Sequence, residues 1–246
     1  MKVGIKLWST NSVEYIDKAG FADFVEVMPV DEKSLQKFSG RDYEYTTHVP
    51  HESFGFNPAL DYEKSLKLLE KGITAAKQLK SEVLVMHASH FFEQPDEDKV
   101  QEAIAKTAKV AKAGGFAGLV IENSTVHEAV NGRTRHYIGY NYDQMKQLLE
   151  LTGAGFCLDL EHAAIVAHQL GISFREQTSQ LLKLKPSYFH LSGAGFANHS
   201  QHISLFEGDV DKEFAREVIR NAKKPVCLET PIDMEQRKKE VEFLKG

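Results

Sequence analysis

The strongest constraint on what this chain can fold into is a rhythm. Eight short apolar runs recur along it: Val3–Trp8, Phe24–Pro29, Glu44–Val49, Val83–His87, Leu119–Glu122, Phe156–Leu160, Tyr188–Leu191 and Val226–Glu229. Each is too short for a buried helix. Most are continuous rather than alternating, the pattern of strands covered on both faces of a parallel sheet. Segments with helical spacing separate them: Ser12–Ala19, Asp31–Phe38, Tyr62–Leu79, Asp96–Ala113, Asn141–Leu151, Phe174–Leu184, Lys212–Ala222 and, at the end, Met234–Leu244. Gly20, Gly114-Gly115, Gly153 and Pro186 stand where such helices should stop. Two stretches, Asn123–Tyr140 and Ser192–Asp211, read as long polar loops. No linker or shift in composition divides the chain, and 246 residues match the usual ~250 of one (β/α)8 barrel. The expected fold is therefore a single (β/α)8 TIM barrel spanning residues 1–246. A doubly wound open sheet would carry a Gly-rich phosphate loop after its first strand, and none follows Trp8.

The bulk properties exclude several roles. A formal net charge of -5 gives no global basic field, which disfavours nucleic acid as a partner. Cys157 and Cys227 both sit inside apolar runs and read as buried free thiols, not a disulfide framework. The N-terminal stretch Met1–Trp8 is too short and too charged for a signal peptide, and no apolar run approaches a membrane span. A soluble, cytoplasmic protein without membrane contact is expected; these bounds leave a homo-oligomer open.

The chemistry gathers where the apolar runs end. Phe156–Leu158 is followed by Asp159, then by His162 and an apolar, helix-like run, Ala163–Leu170. A carboxylate at the exit of a buried strand is costly to desolvate unless something compensates it. Asp159 either caps the following helix or ligates a metal. The recurrence favours metal. His48 and His51 end the third run, His87 the fourth, Glu122 the fifth, His190 the seventh and Glu229 the eighth, with His202 in the loop after His190. In a barrel these ends converge on one face. Imidazole plus carboxylate without thiolate suits Zn, Mn, Co or Fe. Glu122, Asp159, His190 and Glu229 make one four-ligand set for a tightly held ion. His87 with His51 or His48 makes a second, bridged by Glu122, and His162 with His202 a third, weaker corner. The loop Asn123–Tyr140 carries Arg133 and Arg135, whose forked guanidinium groups suit phosphate; an incidentally charged, solvated loop is the plainer alternative.

In order and spacing these motifs resemble the xylose isomerase-like barrels, a superfamily that includes endonuclease IV and many sugar isomerases and epimerases. The motifs are His48-Val49-Pro50, Ile121-Glu122-Asn123, Leu158-Asp159-Leu160-Glu161-His162-Ala163, Phe189-His190-Leu191-Ser192, His202 through Asp209, and Leu228-Glu229-Thr230. Pro50-His51-Glu52-Ser53-Phe54 is similar to the endonuclease form of the third strand end. The resemblance implies an enzyme that moves a proton next to a metal-polarised carbonyl of a small sugar or sugar phosphate. Glu122 and Glu229 would act as acid and base, and His162 would orient a substrate oxygen. Glu26, His48 and His202 would face the substrate, although an internal salt bridge serves Glu26 equally well. The rival reading is an endonuclease IV-like phosphodiester hydrolase. Against it, Ser200 stands where the third metal position expects aspartate, Gly55 follows Phe54 where a bulky DNA wedge is wanted, and Val30–Arg41 lacks an Arg- and Gln-rich segment. A barrel that binds metal and ligand without turnover is the third reading.

Overall fold

The apolar runs become barrel staves. The computed structural model describes residues 1–246 apart from the side chain of Glu32. Its strands are, in chain order, β1 (Val3–Trp8), β2 (Phe24–Met28), β3 (Glu44–His48), β4 (Leu84–Met86), β5 (His90–Phe91), β6 (Leu119–Glu122) and β7 (His127–Val130). They continue with β8 (Arg133–Tyr137), β9 (Gly155–Asp159), β10 (Tyr188–Leu191), β11 (Gly193–Gly195), β12 (Ser200–Ile203) and β13 (Val226–Leu228). Eight of these close a barrel in the order β1-β13-β10-β9-β6-β4-β3-β2. All eight pairings are parallel, including the seam that joins the first strand to the last, Val3↔Val226 to Ile5↔Leu228.

Parallel neighbours need crossover helices. These are α1 (Val13–Asp17), α2 (Glu32–Leu35), α3 (Tyr62–Leu79), α4 (Glu97–Gly114), α5 (Tyr142–Thr152), α6 (Leu160–Leu170), α7 (Phe174–Leu182), α8 (Lys212–Ala222) and α9 (Met234–Lys245). Short polar side chains start most of them. Asp61 accepts from the Lys64 amide at 2.9 Å, Asp96 from Lys99 at 2.9 Å and Asn141 from Gln144 at 3.0 Å. Such a cap contributes about 1 kcal/mol by pairing an otherwise orphaned N–H. Two early helices are shorter than their spacing suggests. Asp31–Phe38 holds only α2, after which Lys37, Phe38 and Ser39 bond three residues back in tighter turns. Ser12–Ala19 splits into α1 and a 3₁₀ turn over Lys18–Phe21.

The two stretches read as polar loops are corrected. Residues 123–140 contain the antiparallel hairpin β7–β8, with β5 added to its other edge. Its turn is Asn131-Gly132, both at positive φ (51° and 74°), the pair that two-residue hairpins favour. Residues 192–211 contain a second antiparallel pair, β11–β12. There a Cβ at Gly193 would collide with the Ser204 carbonyl, so only glycine lets the two segments approach.

Strand side chains alternate faces, so residues i and i+2 share the barrel interior one layer apart. Val25, Val27, Met86, Ile121, Leu158, Leu191 and Leu228 belong to the main core cluster that the helices cover. Phe24, Val85, Val120, Cys157, Tyr188 and Cys227 form a separate cluster. Two residues beyond each member of that second cluster stands Glu26, His87, Glu122, Asp159, His190 or Glu229. An apolar plug thus supports a polar layer at the C-terminal strand ends. Both cysteines are free and buried in the plug, as their positions in the sequence suggested.

Candidate active site

Glu122, at the end of β6, is the hub of that polar layer. Its Oε2 lies 3.3 Å from His48 Nε2, 3.1 Å from His87 Nε2 and 3.2 Å from His190 Nδ1. Its Oε1 lies 3.4 Å from His162 Nδ1. Burial drives the Glu122 carboxyl upward, but His190 and His87 outweigh it and hold the group well below the usual carboxylate range. His87 is gripped from its other side by Glu52, with Nδ1 3.0 Å from Oε2. Burial works against its charge, yet Glu122 and Glu52 raise its pKa to about 10. His48 and His51 part company. His48 is wholly buried, with Nδ1 2.6 Å from the Val49 carbonyl oxygen, and burial lowers its pKa. His51 lines the cavity above, and burial presses its pKa down to about 3.

On β1, β2 and β13 the layer contains its own cation. Lys6 Nζ donates to Glu229 Oε1 at 2.6 Å and lies 3.6 Å from Glu26 Oε1. Glu229 Oε1 is also 2.9 Å from His190 Nδ1. Burial would raise the Glu229 carboxyl; His190 and Lys6 reverse this and hold it well below the ordinary range. Glu26 is fully buried and accepts from Tyr188 Oη and His190 Nε2, both at 3.0 Å. Of its two expected roles, the internal salt bridge is the one its contacts describe.

At β9 and the start of α6 the two readings of Asp159 both find an oxygen. Oδ1 caps α6 by accepting from the His162 amide at 2.8 Å. Oδ2 is buried without a hydrogen-bond partner, as are Glu122 Oε1, Glu26 Oε1 and His190 Nδ1. Burial raises the Asp159 carboxyl to about 6, partly opposed by His162. His162 Nδ1 sits 2.8 Å from the Asn123 carbonyl oxygen. A buried polar atom left unpaired costs about 1–3 kcal/mol, and four in one layer, most of them carboxylate oxygens, make a donor set that fits a divalent cation. Groups of ligand atoms lying within 4.8 Å of one another are Glu26–His48–His190–Glu229, His48–His87–Glu122, Glu122–Cys157–His190 and Glu122–Asp159–His162. The four ligands expected together thus fall in overlapping neighbourhoods with Glu122 and His190 shared. Burial holds Cys157 as a thiol, well above its ordinary range, which leaves it a poor ligand.

Above the layer opens a cavity of about 460 Å³, lined by Lys6, His51, His87, His162, His202 and Glu229 together with Trp8, Glu52, Glu128 and Arg237. His202, on β12, is held by Glu161: its amide donates to Oε1 at 2.8 Å and its Nδ1 lies 3.2 Å from Oε2. Desolvation by its neighbours acts downward on His202, although 44% of its side chain is exposed, and Glu161 lifts its pKa to about 10. The two hairpin arginines lie apart from the cavity lining. Arg133 stacks over Phe92, 4.1 Å from the ring centre. Arg135 is buried beside Tyr137 Oη (3.0 Å), Glu128 (3.4 Å) and Glu52 (3.7 Å). Sequence reading passed over Lys6, Glu52 and Glu161 as functional groups. Lys6 had a visible signal, a charge inside an apolar strand run. Glu161 lies within a quoted motif, and Glu52 directly follows His51.

Residues 12–246 match the xylose isomerase-like TIM barrel family, and the chain belongs to it. The probable endonuclease 4 of Mycobacterium ulcerans (strain Agy99) is 25% identical over 186 residues, covering 74% of this chain and 69% of that protein. The structure of a D-tagatose 3-epimerase-like protein matches with a TM-score of 0.75 at 16% identity, over 100% of this chain and 96% of that one. A Thermus thermophilus protein soaked with ZnCl2 matches at 0.72 and 20% identity, over 100% and 99%. At those identities the two structures share the fold alone. The relative carries the name of an endonuclease and the first of these structures that of an epimerase-like protein. No helix of the described residues is long and apolar enough to cross a membrane.

Proposed function

We propose that this protein is a metal-dependent isomerase or epimerase of a small sugar or sugar phosphate, with residues 1–246 acting as one barrel domain. The observation that carries the reading is the convergence of two carboxylates, the buried Glu122 and the partly buried Glu229, on the same atom, His190 Nδ1, at 3.2 and 2.9 Å. Glu122, Asp159, His190 and Glu229 would hold one tight ion (Zn, Mn or Co), and His87 with His51 a second, partly occupied one. When bound, such an ion polarises a carbonyl and acidifies the neighbouring C–H. The chain's own residues do the rest. Glu229, which opens onto the cavity, takes the proton from the carbon beside the carbonyl, and Glu122 serves as the partner acid and base. His190 and Lys6 hold the Glu229 carboxyl well below its usual range and so ionised, as the base that starts the reaction requires. His162, anchored through Nδ1 to the Asn123 carbonyl, presents its other edge to a substrate oxygen.

The test is isotopic. Turnover in D2O should wash deuterium into the position next to the carbonyl. Glu229→Gln should lower the rate by about 10²–10⁴-fold, the scale of one general acid–base group, and added metal should restore occupancy without restoring rate. Unlabelled product together with full rescue by metal would sink the reading.

A second reading, phosphodiester hydrolysis of abasic DNA, is favoured by the endonuclease 4 relative and by His51, His87 and His202 all facing the cavity. The acidic net charge weighs against it, because non-specific DNA affinity comes from phosphate neutralisation. Metal-dependent nicking of abasic duplex at physiological salt would promote it over the isomerase.

A further inference from the structure

We propose that the ligand of this site is an uncharged sugar, without phosphate, packed against Trp8. This rests on the isomerase reading above and narrows its substrate class.

The first observation is that the cations around the cavity are already engaged. Lys6 is 8% exposed and bound between Glu229 and Glu26. Arg237 is 2% exposed and donates to the carbonyls of Pro231 (3.0 Å), Lys6 (2.8 Å) and Thr230. His87 is clasped by Glu52 and Glu122, and His202 by Glu161. Of the two arginines on the β7–β8 hairpin, Arg135 is bound by Glu52 and Glu128, and Arg133 covers Phe92. The acids that line the same wall, Glu52 and Glu128, are the groups that hold His87 and Arg135, so neither a free cation nor a free acid is offered there. The reacting carbonyl end of a substrate belongs at the Glu122–Glu229 floor, so a terminal phosphate would lie farther up, among the groups that line the cavity. A dianion there would shed its water and meet only cations already paired with carboxylates.

The second observation is what else lines the cavity. Ser124, Thr125 and Gln201 offer neutral hydrogen-bonding groups, and Trp8 and Ile232 apolar surface. This mixture suits a neutral polyol, which alternates hydroxyls with a C–H face. Trp8 stands at the end of β1 with 41% of its surface exposed. It is braced by His51 and Phe54, whose ring centres lie 6.0 and 5.8 Å away at 64° and 71°. Its backbone amide donates to Asn11 Oδ1 at 2.6 Å. A large aromatic surface held in place and left open toward a cavity is a platform for the apolar face of a sugar ring.

Trp8 is also the chain's only tryptophan, so its emission reports occupancy independently of turnover. The experiment is a fluorescence titration of the metal-loaded protein with neutral aldoses and ketoses and with the terminal phosphate ester of each. Expected is a saturable emission change with at least one neutral sugar, at an affinity about tenfold or more above that of its phosphate ester. Trp8→Ala should raise KM for that sugar about tenfold while kcat changes little, the loss of a contact made equally before and during reaction. A phosphate ester that binds more tightly than its parent sugar would overturn this proposal and leave the isomerase reading standing. Tight neutral-sugar binding without turnover or deuterium exchange would do the reverse. No emission change and no turnover with any sugar would overturn the proposal, as would an unchanged KM in Trp8→Ala.

Discussion

Two sides of the polar layer handle the same problem differently. Beneath β1, β2 and β13, the carboxylates Glu26 and Glu229 share a lysine, Lys6, and a histidine, His190. Beneath β6 and β9, Glu122 and Asp159 share a histidine, His162, and no lysine; one oxygen of each lacks a hydrogen bond, as does Glu26 Oε1, but Glu26 Oε1 has Lys6 Nζ 3.6 Å away. The first side is balanced by the chain itself. The second is arranged for a positive charge that the chain does not provide. A buried ion pair is costly to break from one end, whereas an uncompensated buried acid is costly to keep. Removing a charge should therefore have opposite effects on the two sides.

The largest effect is expected at Lys6. Lys6→Met leaves Glu26 and Glu229 facing each other and should cost about 3–5 kcal/mol in urea unfolding of the metal-free protein. A loss under about 1 kcal/mol would break the comparison. Asp159→Asn comes next, with the opposite sign. Asparagine caps a helix as well as aspartate does, so the metal-free variant should be more stable than the parent near neutral pH, by about 1–3 kcal/mol. The pH dependence sharpens this. Burial raises the folded Asp159 carboxyl to about 6, above its ordinary value of 3.8. Between those values the folded state holds more protons than the unfolded one. Stability contributed by this group therefore grows as pH falls through about 6 and is lost as pH rises. Asp159→Asn should flatten that slope, while metal bound per chain, measured by elemental analysis after dialysis, should fall. The smallest effect belongs to Arg133. Its stack on Phe92 is exposed, so Arg133→Ala should cost about 0.5–1 kcal/mol and leave sugar turnover within twofold. A large rise in KM would return this arginine to the substrate.

Much of this architecture is legible in the residues because period and layer coincide. A continuous apolar run ending in His, Asp or Glu implies a strand whose last inward position faces the site, and six of the eight runs end that way. Less legible were the features that depend on partners far along the chain. Lys6 reads as a stray charge until β13 brings Glu229 beside it. Glu161 acquires a role only once the β11–β12 hairpin folds His202 over it. The β7–β8 hairpin lay in plain view as Val130-Asn131-Gly132-Arg133, but its polar strands lack the apolar alternation that marks a sheet. Arginine density suggested a phosphate grip there; burial and pairing place Arg135 among acids instead.

The barrel seam has a consequence for how the protein comes into being. Lys6 and Glu229, which touch across it, are 223 positions apart. On a ribosome, β1 waits with one edge exposed until its partner Val226–Leu228 has emerged. Closing so long a loop is slow, and an unpaired edge invites other chains. Chaperone demand should accordingly last until Val226–Leu228 is made, and a fragment ending before Val226 should carry neither a closed barrel nor an assembled site.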